Sequence, residues 1–250
     1  RRTKVDKVES QSLTREAAEF AAALRYEDLP ADVLHIARRC VVDGLAVMLA
    51  GSAQPALDVL DRYITKIGGH GQARLAGHGA LRAPAHLAAL WHGLAGHAMD
   101  WDDTQLAEGP GRPYGLLTHP TVPPMSAALA LSDSVGHIDG RAFLTAFNAG
   151  VEVESKIAEA INPDHYMRGF HTSGTIGTFG SAVCAAKLLG LDAGRIAETM
   201  GIAASMASGI RANFGTMTKP LHVGRSSENG VTAALLVAEG FTANREALDG

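Results

Sequence analysis

Apolar residues recur every three and four positions along most of this chain. Nowhere do they alternate for long enough to build a sustained strand, so the sequence is constrained to a mainly α fold. The run from Thr14 to Leu24 has this spacing, with Ser12 or Thr14 as its N-cap. Pro30 suits a first helical turn, and Val33, Leu34, Ile36, Ala37, Cys40, Val41, Leu45 and Met48 then make a broad buried stripe ending at Gly51. Residues 55–67 form another amphipathic helix, closed by Gly68-Gly69. Further helices are predicted from Pro84 to about Asp100 and over 121–134, 140–160, 175–189, 193–208 and 225–239. A short strand is predicted around Ala73–Ala76, inside the glycine-rich stretch His70–Ala83. The abundance of Ala and Gly on these helices favours close helix approach.

The 250 residues are enough to bury a substantial core, and 46% apolar content against 19% charged is that of a soluble globular chain. A net charge of −4 offers no footing for nucleic acid or an anionic membrane, and neither is expected as a partner. The longest apolar runs, Ala127–Leu131 and Ala233–Ala238, are far too short to cross a bilayer. Arg1–Gln11 is polar, lacks the apolar core of a secretory signal and is expected to be flexible. Cys40 and Cys184 sit in apolar helical context and read as reduced core thiols, which points to a cytoplasmic location. Neither a repeat nor a low-complexity linker divides the chain, so residues 1–250 read as a single all-helical domain. It stops at Leu248-Asp249-Gly250 without a polar tail, so continuation into a longer polypeptide is expected.

Chemistry concentrates between His97 and His119. The run His97-Ala-Met-Asp100-Trp-Asp102-Asp103-Thr104 sets three carboxylates within four positions, followed by a loop and Thr118-His119-Pro120. Such carboxylates need a nearby cation, solvation or a useful pKa shift. At a helix C-terminus each costs roughly 0.3–1 kcal/mol. Asp100 and Asp103, three apart, would share a face with Thr104 close by if the helix persists. The functional reading is a polar wall with Asp as orienter or base, Thr104 as hydroxyl donor and His119 as acid/base; the plain alternative is a solvated helix end.

Two more clusters stand out. Gly169-Phe170-His171-Thr172-Ser173-Gly174 leads a histidine into a helix start, where free N–H groups can meet an anion; the alternative is a capped helix with close-packed glycines. In Thr216–Arg225, Pro220 biases Lys219 towards extended geometry and so onto a loop. Lys219, His222 and Arg225 together would bind carboxylates; the alternative is a basic surface loop. The remaining histidines lack metal-ligand spacing, His86 and His92 read as packing or surface residues, and Trp91 and Trp101 as core or pocket wall.

In this order, His97–Thr104, Thr118-His119-Pro120, Gly169-Phe-His171 with Gly177–Ala182, and Met217–Gly224 resemble the MmgE/PrpD family, as do Ala146–Val153 and Lys187–Leu191. The resemblance runs from about residue 14 to 250. It implies a large all-helical domain, with the family's α+β lid domain absent from these residues. It implies action on small di- or tricarboxylates without metal or cofactor, and a homodimer. Family members include 2-methylcitrate dehydratase, cis-aconitate decarboxylase and iminodisuccinate epimerase. By this resemblance Asp100, Thr104, His119, His171 and Lys219 are the catalytic candidates, with His222, Asp103 and Arg225 as substrate-binding candidates. The loop between Thr104 and His119 is longer than in the decarboxylase.

The chemistry shared by such enzymes is proton movement at the carbon α to a carboxylate. Each reaction builds enolate charge that nearby cations stabilise. Lys219 and His222 would then hold carboxylates, His119 and His171 would exchange protons, and Asp100 would orient a histidine. The expected activity is a lyase of the 2-methylcitrate dehydratase type, with decarboxylation or epimerisation as alternatives. Two rivals stand beside it: a magnesium-dependent diphosphate enzyme, for which Asp102-Asp103 lacks the further acidic positions, and a non-catalytic helical dimerisation fragment.

Overall fold

A computed structural model of the protein describes residues 12–106 and 115–249; the stretch expected to be flexible (1–11) and the middle of the 104–119 loop lie outside the described residues. Eleven α-helices are present among the described residues: α1 Leu13–Ala23, α2 Ala31–Gly51, α3 Pro55–Ile67, α4 Ala85–His97, α5 Val122–Val135, α6 Gly140–Ile161, α7 Asp164–Met167, α8 Thr172–Thr175, α9 Gly177–Leu188, α10 Ala193–Met206 and α11 Thr218–Ala238. The one sheet among the described residues is a two-residue antiparallel pair, β1 Ala73–Arg74 with β2 Arg82–Ala83. The mainly α expectation holds, and the predicted short strand is half of this pair.

The helices pack around α4, which is apolar on every side and buried along its whole length. A helix apolar all round belongs in the middle of a protein rather than on its surface. α11, α5 and α2 pack against α4, and α9 packs against α11, α6 and α5. The backbones of α4 and α11 approach closely. A Cβ at Gly93 would lie 2.8 Å from the Val223 carbonyl oxygen, and one at Gly224 would lie 2.6 Å from that of Leu90. Trp91, fully buried on α4, keeps its indole N–H satisfied by donating to Asp61 on α3 at 2.7 Å.

Helix ends that lack partners of their own borrow them from other elements. Lys187 of α9 donates to the carbonyls of Ala21 and Ala22 at the end of α1, and Arg195 of α10 to those of Val237 and Ala238 at the end of α11. Ser12, one of the two predicted caps, accepts from the Arg15 N–H.

Three sequence expectations are corrected. α11 begins seven residues earlier than predicted, at Thr218, so Lys219 lies in its first turn and not on a loop. Proline has no N–H to offer, but in a first turn none is required, and this overrides the pre-proline bias towards extended geometry. α4 ends at His97, and Asp100 turns the chain with φ 58°. Asp100 and Asp103 therefore do not share a helix face. Trp101 is exposed (65%) and belongs neither to the core nor to a pocket wall. Both cysteines are free, Cys184 buried and Cys40 partly so. No helix among the described residues is long and apolar enough to cross a membrane.

Candidate functional site

The turn after α4 divides the three carboxylates among three environments. Asp100 accepts a hydrogen bond from the Lys219 ammonium, Nζ to Oδ1 at 2.6 Å. Asp102 is buried and faces two imidazoles. Its oxygens lie 2.9 and 3.0 Å from Nδ1 of His97, and Oδ1 lies 3.4 Å from Nδ1 of His119. Asp103 points the other way and accepts from the Thr121 hydroxyl at 2.7 Å and the Thr121 N–H at 3.3 Å. It lines a separate groove along α2 with His35, Arg39 and Cys40, so the structure does not bring it to the cluster.

Lys219 and His222 stand three apart in the first turns of α11 and share one face. Arg225 lies about 240° round the helix from Lys219. It donates to Glu228 at 2.6 Å and borders an apolar groove between α3 and α11, away from the cluster. His171 precedes α8, in a short extended segment that pairs with the stretch before α11: Phe170 bridges Ile210, and the His171 N–H donates to the Gly209 carbonyl. This pairing sets the His171 ring against His222, with their Nδ1 atoms 3.1 Å apart, and edge-on to Phe214 at 4.8 Å. One of the two Nδ1 atoms must therefore carry a proton and the other accept it. His119 sits just before α5, its N–H donating to the Ser173 hydroxyl.

Asp100, Thr104, His119, His171 and Lys219 thus line one hollow of about 350 Å³, together with Tyr166, Ser173 and Phe214. His222 stands behind His171. A second hollow of about 510 Å³ adjoins the other side of Asp100 and Lys219, bordered by Phe214 and His97. Of the eight sequence candidates, six converge and Asp103 and Arg225 do not.

The electrostatics sort these groups. Burial raises the Asp100 carboxyl, but the Lys219 hydrogen bond and charge outweigh it and hold it below its usual range. Burial likewise pushes Asp102 up, and the two imidazoles more than reverse this, leaving it ionised far into acid. For His119, burial favours the neutral ring, yet the Asp102 hydrogen bond and charge, with Asp100 behind them, raise its pKa above the ordinary value. For His171 burial acts with the neighbouring His97, His222 and Lys219 and pushes the pKa down to about 2, so the ring is neutral at working pH. Burial, and then His97, lowers His222 as well.

His97 and Asp102 complete the cluster, though sequence reasoning did not carry them into its eight candidates. Both lie inside the motif it singled out. The signal available was polarity at the end of a helix apolar on every side, a place where a histidine needs a partner. One ligand atom from each of His97, Asp100, Asp102 and His119 lies within 4.8 Å of the others, so this set could hold a metal. The sequence spacing of the histidines did not foresee it. The Lys219 ammonium on Asp100 already supplies a cation at that point, and both Nδ1 atoms are turned to Asp102.

Residues 15–250 match the family profile of the MmgE/PrpD N-terminal domain. The chain is 30% identical over 243 residues to cis-aconitate decarboxylase of Homo sapiens, covering 96% of this chain and 49% of that protein. It is 30% identical to the Mus musculus protein of the same name, over 96% of this chain and 48% of that one. Against cis-aconitate decarboxylase of Aspergillus terreus the identity is 28%, over 95% of this chain and 48% of that protein. The chain spans about half the length of the curated relatives it matches.

Proposed function

The chain belongs to the MmgE/PrpD family, and from that premise we propose that it supplies the acid–base half of a lyase acting on a small di- or tricarboxylate, by proton transfer at the carbon α to a carboxylate. The observation that carries this reading is the convergence of one ammonium, one imidazole of raised basicity and one neutral imidazole on a single hollow, with the His222 imidazole backing His171. Lys219 and the neutral His171 hold substrate carboxylates, with His222 setting the His171 proton from behind. Asp100 fixes the Lys219 ammonium, whose remaining N–H groups face substrate. Thr104 offers a hydroxyl from the rim. His119 carries the proton, which replaces the expectation that His119 and His171 share that task. His171, neutral and resistant to protonation, serves as a hydrogen-bond partner instead.

The relatives' names favour decarboxylation as the specific reaction. Carbon dioxide leaves without the bonding electron pair, the pair spreads into a neighbouring carboxylate as an enolate, and protonated His119 gives its proton to carbon. Cations beside the enolate lower the barrier. Dehydration, the expectation from sequence, is the second reading. It uses neutral His119 to remove the α proton before a β-hydroxyl leaves. General acid–base catalysis of this kind is worth roughly 10²–10⁴-fold. A homodimer and a cytoplasmic location belong to the same proposal.

A product assay on the full-length protein with a panel of tricarboxylates and amino dicarboxylates separates released carbon dioxide, released water and inverted stereochemistry. In the same assay Lys219→Ala is expected to raise KM and lower kcat by about 10²-fold or more. Kinetics unchanged by that substitution would remove Lys219 from the site. Activity is expected to survive EDTA, and its loss would overturn the metal-free chemistry.

A further inference from the structure

We infer that His97 is a positioning residue for His119, acting through the one buried carboxylate, Asp102, that both imidazoles share. The inference rests on the proposed function only where His119 is taken as the proton carrier; the geometry stands without it.

Asp102 meets no Lys or Arg among the described residues, and its side chain is 1% exposed. Its charge is therefore answered by imidazole N–H groups. His97 faces both carboxylate oxygens almost equally, and so fixes the plane of the carboxylate. His119 gets a looser share. Its Nδ1 lies 3.4 Å from Oδ1 and 3.3 Å from the Asp102 main-chain oxygen, a divided hydrogen bond. Either acceptor requires a proton on Nδ1, which leaves Nε2 of His119 as the nitrogen that exchanges protons. The rings of His97 and His119 stand edge to face at 4.6 Å, so movement of one is felt by the other. Nε2 of His97 is buried without a hydrogen-bond partner among the described residues, 3.9 Å from Asp100 Oδ1. A histidine kept merely to fill space would not need that cost. The charged or titratable groups facing this pair are Asp100 and Asp102 from the turn after α4, His171 from the segment before α8, and Lys219 and His222 from α11.

Because His97 draws on the Asp102 charge, taking its N–H away gives that charge wholly to His119, which must then bind its proton more tightly. Two substitutions separate this from simple packing. His97→Asn puts an amide where Nδ1 stands and can go on donating to Asp102. His97→Gln puts the amide where Nε2 stands and leaves Asp102 without its donor.

The test is a titration of the full-length protein labelled with nitrogen-15 histidine, the His119 signal being assigned by its loss in His119→Gln. His97→Gln is expected to move the His119 midpoint upward by about 0.5–1 pH unit. His97→Asn is expected to move it by less than half as much. No movement in His97→Gln, or equal movement in both variants, overturns the inference. The kcat/KM profile is read alongside. If the NMR midpoint moves and the kinetic limb moves with it, both the coupling and the proton-carrier role are supported. If the NMR midpoint moves and the kinetic limb stays, the positioning of His119 by His97 stands and the proton-carrier role falls.

Discussion

Asp100 is one of two residues at the site whose backbone is strained. Among the described residues only Asp100 and Leu117 adopt a positive φ without being glycine, and both line the same hollow. Asp tolerates the left-handed region better than most residues, and here that conformation swings its carboxylate off the end of α4 onto Lys219. Asp100→Asn keeps this backbone preference and removes the charge. It is expected to lower kcat/KM by about 10²-fold. Folding stability should change by less than about 1 kcal/mol, because the Asp100 end of the pair is half exposed. A large loss of thermal stability with activity retained would count against Asp100 as the Lys219 clamp. The raised pKa of His119 also separates the two reactions by sign. A proton donor fails as pH rises through that value, and a base fails as pH falls through it. Decarboxylation therefore predicts a basic limb above pH 6.5, and dehydration an acidic one.

Elements owe their positions to small residues where backbones touch. α11 carries Lys219 and His222 into the site, and its contact with α4 requires that residues 93 and 224 lack a Cβ. A methyl at 224 would meet the Leu90 carbonyl, which belongs to helix backbone and has little room to yield. Gly224→Ala is therefore expected to destabilise by about 1–3 kcal/mol, measured by urea denaturation. By pushing the first turn of α11 away from Asp100 it should lower kcat as well. Stability equal to the parent chain would show that the two helices can part without cost. The abundance of Ala and Gly was readable as a sign of close packing, but which glycine meets which carbonyl was not, since that depends on how the two helices cross.

Across the whole molecule, stability depends on pH through groups buried in their neutral form. Burial lowers His92 to about 4 and His171 to about 2. The unfolded chain binds these protons below about pH 6.5 while the fold refuses them, so their share of stability is present above 6.5 and is lost as pH falls. For His92 alone the loss approaches about 3 kcal/mol near pH 4. Glu154 works in the opposite direction. It is fully buried, its oxygens have no hydrogen-bond partner among the described residues, and burial followed by the Asp103 charge raises it well above its usual value. Its share of stability is complete below about 4.5 and is lost as pH rises through the raised value. Thermal melts from pH 4 to 9 are expected to show a maximum between these limits, and Glu154→Gln to raise Tm on the alkaline side only. A flat profile, or a gain on the acid side, would contradict the burial of these groups.

Periodicity made the helices legible, because a 3.6-residue repeat of apolar side chains needs no knowledge of what covers it. It placed α5, α6 and α10 to within about two residues at their ends. Residue chemistry in order along the chain marked His119, His171, Lys219 and Asp100. Local rules failed where one local preference competed with another: Pro220 read as a loop signal until the first turn of α11 absorbed it, and with that Arg225 fell on the wrong side of a helix. The Asp102 carboxylate shared by His97 and His119 was beyond sequence reading, because residues 97 and 119 meet only when the end of α4 packs beside the start of α5. The chain alone determined which side chains could do acid–base chemistry. The tertiary structure decided which of them do it together, since proton affinity is set by burial and neighbouring charge, and both exist only after folding.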